Sequence, residues 1–246
     1  MLRSRPSMIE LVEGARNVTF RSTTVALAAA GLLSLLGTTT AVAAPAEAPA
    51  GQSKECGAVR LTGSLPAPAP GQAVQQQVTI GADCTPQFGP VTYKPASAAA
   101  SKTAAAGQGA AAAGTTRQLR SWNEMFDCCN IRMTGLYTTA TWTTDGGRIT
   151  TAATEATQGN NREPWNAGWS VKSAAKTDDC TTDCAVVHTK ADAEFGYQGI
   201  FDVTGNWYAN THHSSVQLNA DSTASCTFDV ELRHTFIGWN WQRGCE

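Results

Sequence analysis

Seven tryptophans, four histidines and a scatter of carboxylates are the side chains of this chain that could do chemistry. Trp165 and Trp169 stand in a polar stretch, QGNNREPWNAGW, beside Asn160, Asn161, Arg162 and Asn166. Trp239 and Trp241 are two apart and share a face if the chain there is extended. An exposed ring packs on the C–H face of a sugar, and neighbouring amides read its hydroxyls; the amphipathic tryptophan suits such a boundary. Trp165, Trp169, Asn166, Trp239 and Trp241 are therefore the expected binding residues. Core packing is the competing role for any one of these rings.

The histidines are His188, His212, His213 and His234. His212 and His213 are adjacent, so on a strand they face opposite surfaces. His234 falls on the apolar side of an alternating run, where a hydrogen-bonded core or rim role outweighs a ligand role. His188 shares a face with Lys190, Asp192 and Glu194, which reads as solvent-facing. The tight H-E-x-x-H spacing of a zinc hydrolase is absent. A three-histidine site gathered from separate strands is the weaker alternative. No metal and no cofactor are expected. There is no G-x-S-x-G elbow, and Ser214 and Ser215 beside the histidine pair do not make a triad by adjacency. Asp178, Asp179 and Asp183 are dense in oxygen ligands but lack the glycine and closing glutamate of an EF-hand loop. Glycosidase chemistry needs two converging carboxylates, and nothing singles out a pair among Glu155, Glu163, Asp192, Glu194, Asp202 and Glu231.

Eight cysteines set the compartment and the scaffold: Cys56, Cys84, Cys128, Cys129, Cys180, Cys184, Cys226 and Cys245. An even count behind an export signal implies disulfides. Cys56 and Cys84 stand apart from the rest and are expected to pair. Vicinal Cys128 and Cys129 point to opposite faces if extended, and so take different partners. If Cys226 joins Cys245, that leaves them Cys180 and Cys184.

The export signal is read at residues 1–43. Arg3, Arg5, Arg16 and Arg21 precede an apolar run, Val25 to Gly37, and Ala41-Val42-Ala43 fits the small-residue cleavage rule. The run is well short of the ~20 apolar residues that span a bilayer. A secreted protein with no membrane attachment after cleavage is expected. The net charge of −2 gives no field for nucleic acid.

Residues 44–95 read as a small extended segment holding Cys56 and Cys84. Residues 96–116, rich in Ala and Gly, read as a linker. Residues 117–246 read as the main domain. RQLRSWNEMFDCC suggests a helical turn or two at its start. Beyond it, six or seven strands alternate with Gly, Asn and Asp turns; Asp145-Gly146-Gly147 marks a hairpin. From Cys226 to Phe236 apolar and polar residues alternate, as in a half-buried antiparallel strand. The fold expected is all-β, a disulfide-stabilised antiparallel sandwich or barrel. The activity expected is non-catalytic binding of carbohydrate or another extracellular polymer or protein. The alternative is a small secreted hydrolase, glycoside-directed or metal-dependent.

Overall fold

Period-two patterning recurs in the described strands from Glu55 onward. In the computed structural model, residues 55–97, 114–161, 168–198 and 208–246 are described. The strands are β1 (Glu55–Leu65), β2 (Gln72–Ile80), β3 (Pro86–Phe88), β4 (Thr92–Pro95), β5 (Thr115–Phe126), β6 (Arg132–Thr144) and β7 (Ile149–Asn160). They continue with β8 (Gly168–Asp178), β9 (Thr182–Cys184), β10 (Val186–Gln198), β11 (Ala209–Asn219), β12 (Ala224–Phe236) and β13 (Asn240–Cys245). No helix occurs among the described residues. The export signal expected at residues 1–43 lies outside them.

Two antiparallel sheets result. One has five strands in the order β1-β12-β11-β10-β8. The other has eight, β3-β2-β13-β5-β6-β7-β9 with β4 also on β2. Their inner faces meet in one core. Phe195, Phe228, Val230 and Leu218 come from the first sheet, and Trp142, Trp241, Leu136 and Val78 from the second. The all-β sandwich expected from the alternation is present.

The described part of the expected segment 44–95, residues 55–95, is not a separate appendage. β1 pairs with β12 in the smaller sheet and β2 pairs with β13 in the larger one. Leu61, Leu65, Val74 and Val78 are buried in the common core. The physical reason is edge satisfaction: β12 and β13 each have a ladder side to fill, and β1 and β2 fill it. The linker likewise ends earlier than residue 116, because β5 starts at Thr115.

The helical turn expected near residue 117 is a strand instead. β5 pairs along its length with β6, and its inward residues Leu119, Ser121, Asn123 and Met125 alternate with half-exposed ones. Cross-strand pairing outweighs the weak helix propensity of Leu, Glu and Met there. After β6 the hairpin at Asp145 forms as expected. Asp145 Oδ1 accepts the N–H of Gly147 (2.9 Å) and of Arg148 (2.8 Å), and Gly146 adopts a φ of 93°. The Arg148 and Gly147 N–H groups hold the Asp145 carboxyl below the usual range.

Three disulfides close the scaffold. Cys56–Cys84 and Cys226–Cys245 pair as expected. Cys226 lies on β12 and Cys245 on β13, so that bridge joins the two sheets. The third is Cys180–Cys184, within one turn. It corrects the expectation that these two serve the vicinal pair. Cys128 and Cys129 are exposed thiols with their Sγ atoms 3.5 Å apart. They sit in the β5–β6 turn, not on a strand. Asp127 Oδ1 accepts the N–H of Cys129 and of Ile131, and Asn130 has a φ of 61°. The turn removes the opposite-face geometry on which the expectation depended. Replacing Cys226 and Cys245 by alanine is expected to lower stability by about 3 kcal/mol in urea denaturation, the loop-closure value for a bridge of this span.

Candidate functional site

The outer face of the larger sheet carries a row of side chains set by register alone. Gln75 on β2 is opposite Gly244 on β13, Gly244 is opposite Trp122 on β5, Trp122 opposite Tyr137 on β6, and Tyr137 opposite Thr157 on β7. One row further along, the same strands present Gln77, Gln242, Glu124, Gly135 and Gly159. On the other side lie Arg120, Thr139 and Glu155.

Glycines seat the two rings. A Cβ on Gly244 would stand 2.0 Å from Trp122 Cζ2, so the indole lies directly over that backbone. A Cβ on Gly135 would stand 2.8 Å from Tyr137 Oη, and one on Gly159 3.2 Å from Tyr137 Cε2. Both rings are thus laid down on neighbouring strands, half-buried and fixed in position.

A cleft of about 410 Å³ opens over this row, bounded by Gln75, Lys94, Trp122, Glu124, Tyr137 and Gln242 among others. That volume is within the range of small-ligand sites. Tyr137 donates its hydroxyl to Glu124 Oε1 (2.5 Å) and accepts from Arg132 Nη1 (2.7 Å). Burial, then the bond to Glu124, pushes the Tyr137 phenol well above its ordinary range, so it stays a donor. Arg120 pairs with Glu246 Oε1 at 3.2 Å, and Ser97 donates its hydroxyl to the same oxygen at 2.7 Å. The Lys94 ammonium lies 5.8 Å from the Trp122 ring centroid. Both carboxylates of the cleft are bound to an arginine, and neither is presented as a mobile acid or base. Aromatic faces, the Gln75 and Gln242 amides and hydroxyls line the cleft, with Gln242 Nε2 already donating to Asn240 Oδ1 at 3.1 Å.

The residues expected from sequence lie elsewhere. Trp169, Trp239 and Trp241 are core side chains, 6%, 7% and 0% exposed. They present no ring face to solvent, which corrects the expectation of exposure. Trp241 faces the other sheet and donates its indole N–H to Asn123 Oδ1 at 2.6 Å. Trp239 stands in the turn between β12 and β13, packed on Phe236. Trp169 opens β8 against Tyr197. Trp165 and Asn166 lie outside the described residues. Among the described tryptophans, Trp122 is the one that lines the cleft. Its signal is the alternation Gln118, Arg120, Trp122, Glu124, which puts it on a polar face.

The histidines do not converge. His188 Nδ1 meets Asp179 at 2.8 Å, His213 Nδ1 meets Asp192 at 2.5 Å, and His234 Nδ1 meets Glu55 at 2.5 Å. His234 leaves the apolar face because register shifts interrupt the β1–β12 ladder between Glu55 and Val59. Thr235 takes the buried position instead. His212 is wholly buried, and desolvation lowers its pKa to about 3. It is neutral: Nδ1–H donates to Asn123 Oδ1 (3.1 Å) and Nε2 accepts from Thr134 Oγ1 (2.8 Å). Asp178, Asp179 and Asp183 are drawn to Lys176, His188 and Arg148 respectively, so they gather around no common point.

Compared with known proteins, the chain matches no family model, no curated protein and no solved structure.

Proposed function

We propose that the protein is an exported, non-catalytic module that binds extracellular carbohydrate in the cleft over Trp122 and Tyr137. The observation that carries this reading is the seating of both rings on glycines in one cross-strand row, with Gln75 and Gln242 beside them. A sugar ring laid on the indole buries its C–H face, while the amides and the Tyr137 hydroxyl address its oxygens. Ring positions fixed in advance lower the entropy that binding must overcome. Lys94 swings aside or bonds a sugar oxygen, since it is held only over the ring. The three disulfides fit an oxidising compartment. The arginine-bound state of Glu124 and Glu246 favours holding over hydrolysis.

The test is retention of the full chain on insoluble polysaccharides and cell walls, followed by tryptophan fluorescence. Trp122→Ala and Tyr137→Ala are each expected to weaken retention by about 30-fold or more, the loss of a central aromatic anchor. Circular dichroism should remain that of the wild type. Trp165→Ala serves as the comparison and should retain wild-type binding. If retention falls only in the Trp165 variant, the cleft is the wrong site. If no polysaccharide retains the wild type, the carbohydrate reading is wrong.

A further inference from the structure

The opposite surface, the outer face of the five-stranded sheet, has a different character. Register aligns Thr62, Asp229, His213, Asp192 and Ala175 in one row across β1, β12, β11, β10 and β8. The adjacent row holds Arg60, Glu231, Thr211, Glu194 and Ser173. On this patch the acids Asp192, Glu194, Asp229 and Glu231 face three cations, Arg60, Lys190 and Arg233.

From this arrangement we infer that His213, Asp229 and Glu231 form a binding site for one divalent transition-metal ion, with zinc the best-matched ion. A ring nitrogen of His213 and one carboxylate oxygen from each acid lie within 4.8 Å of one another. Four-coordinate zinc with bonds of about 2.1 Å places its ligand atoms about 3.4 Å apart, so modest side-chain rotation closes the set. The half-exposed Glu231 and His213 side chains have room for it. One imidazole nitrogen with two carboxylates is a donor set for zinc and its neighbours, not for calcium or magnesium, which take oxygen alone. Three protein ligands leave one position for water.

Two further observations point to an ion. Asp192 Oδ1 accepts the Nδ1 proton of His213 at 2.5 Å. That bond fixes the tautomer and leaves the Nε2 lone pair free, the arrangement in which metal-bound histidines are held by an outer carboxylate. Asp192 is thus a positioning residue. Asp229 uses Oδ2 for Arg60, while its Oδ1 is buried without a hydrogen-bond partner. A buried carboxylate oxygen with no partner is costly, and a cation bound there removes the cost. Arg60 bridges the two acids, bonding Asp229 Oδ2 at 2.8 Å and Glu231 Oε1 at 3.1 Å, so the ion takes Asp229 through Oδ1 and Glu231 through its other carboxylate oxygen.

The experiment is calorimetric titration of the intact protein with zinc chloride, repeated with cobalt(II) followed by visible absorption. One equivalent should bind saturably, and the cobalt form should show ligand-field bands without thiolate charge transfer. His213→Gln and Glu231→Gln should each weaken binding at least tenfold while keeping the wild-type circular dichroism. Asp192→Ala should weaken it about 10–100-fold, and Asp192→Asn, which still accepts the Nδ1 proton, should restore most of it. Cys128→Ser/Cys129→Ser should bind as the wild type does. Absence of saturable binding overturns the inference. So does binding that the cysteine variant abolishes and His213→Gln leaves intact.

Discussion

Acidification from pH 6.5 to pH 4 weakens the wild-type fold by about 3 kcal/mol more than it weakens a His212→Gln variant. His212 lies between the sheets with a folded pKa of about 3 against an ordinary 6.5, and burial is the main cause. The unfolded chain takes up a proton below pH 6.5 that the folded chain refuses. Stability from this group is therefore complete above pH 6.5 and is lost as pH falls toward 3, at roughly 1.4 kcal/mol per pH unit. The neutral ring is built into a chain of bonds. Asn210 Nδ2 donates to Thr134 Oγ1, Thr134 to His212 Nε2, and His212 Nδ1 to Asn123 Oδ1. A second ring proton would meet Thr134 Oγ1, which already accepts from Asn210. The carboxyls held low by backbone and hydroxyl donors, Asp145, Asp179 and Asp221, add acid sensitivity only below about pH 4. In the window above that, the difference between wild type and His212→Gln isolates His212. Urea denaturation at half-unit pH steps measures it. An imidazole resonance of His212 that titrates near pH 6 in the folded protein would show the burial argument to be wrong.

The period-two signal made the sheets legible, and it failed where the backbone or the face broke the period. From Cys226 to Leu232 the inward residues are the ones the alternation names. Beyond Leu232 the register shifts in the β1–β12 ladder move Thr235 inward and His234 outward, and no residue type announces them. In β5 the inward face includes Ser121 and Asn123, two polar residues that erase the apolar stripe. That segment consequently reads as helical by propensity. The opposite facings of His212 and His213 follow from adjacency and hold. The cleft was illegible for another reason. Its row joins Trp122, Tyr137 and Thr157 on the consecutive strands β5, β6 and β7 to Gln75 on β2 and Gly244 on β13, which are far away in sequence, and only pairing order brings these last two alongside. Gly244 carries no side chain to draw attention, although it seats the indole. The sharing of β1 and β2 between the sheets was equally hidden, because their cysteines bond each other across Cys56 and Cys84 and so resemble an independent unit.

Asn123→Leu is expected to cost on the order of 4 kcal/mol, comparable with the deepest core truncations. Asn123 is wholly buried on β5 and bonds across the gap between the sheets. Its Nδ2 donates to the carbonyls of His213 and Asp229, both at 3.1 Å. Its Oδ1 accepts from the Trp241 indole at 2.6 Å and from His212 at 3.1 Å. Leucine fills a similar volume, so packing is largely kept. What disappears is four bonds at once, and the Trp241 and His212 N–H groups remain buried without their acceptor. Each such orphan costs about 1–3 kcal/mol, whereas a deletion at the surface costs far less. In urea the midpoint should fall with the slope unchanged, which marks lost stability, not a more open native state. Combining Asn123→Leu with His212→Gln should cost less than the sum of the two, because one bond is counted in both. Strict additivity would mean that the ring and the amide do not interact. A loss under about 1 kcal/mol would mean that the cross-sheet bonds carry no weight. Trp122 precedes Asn123 and faces the other way, so the amide that anchors β5 inward also sets the height at which the indole meets the cleft. Under conditions where the variant is folded, its fluorescence should therefore respond to ligand less than the wild type does, although Asn123 never touches the cleft.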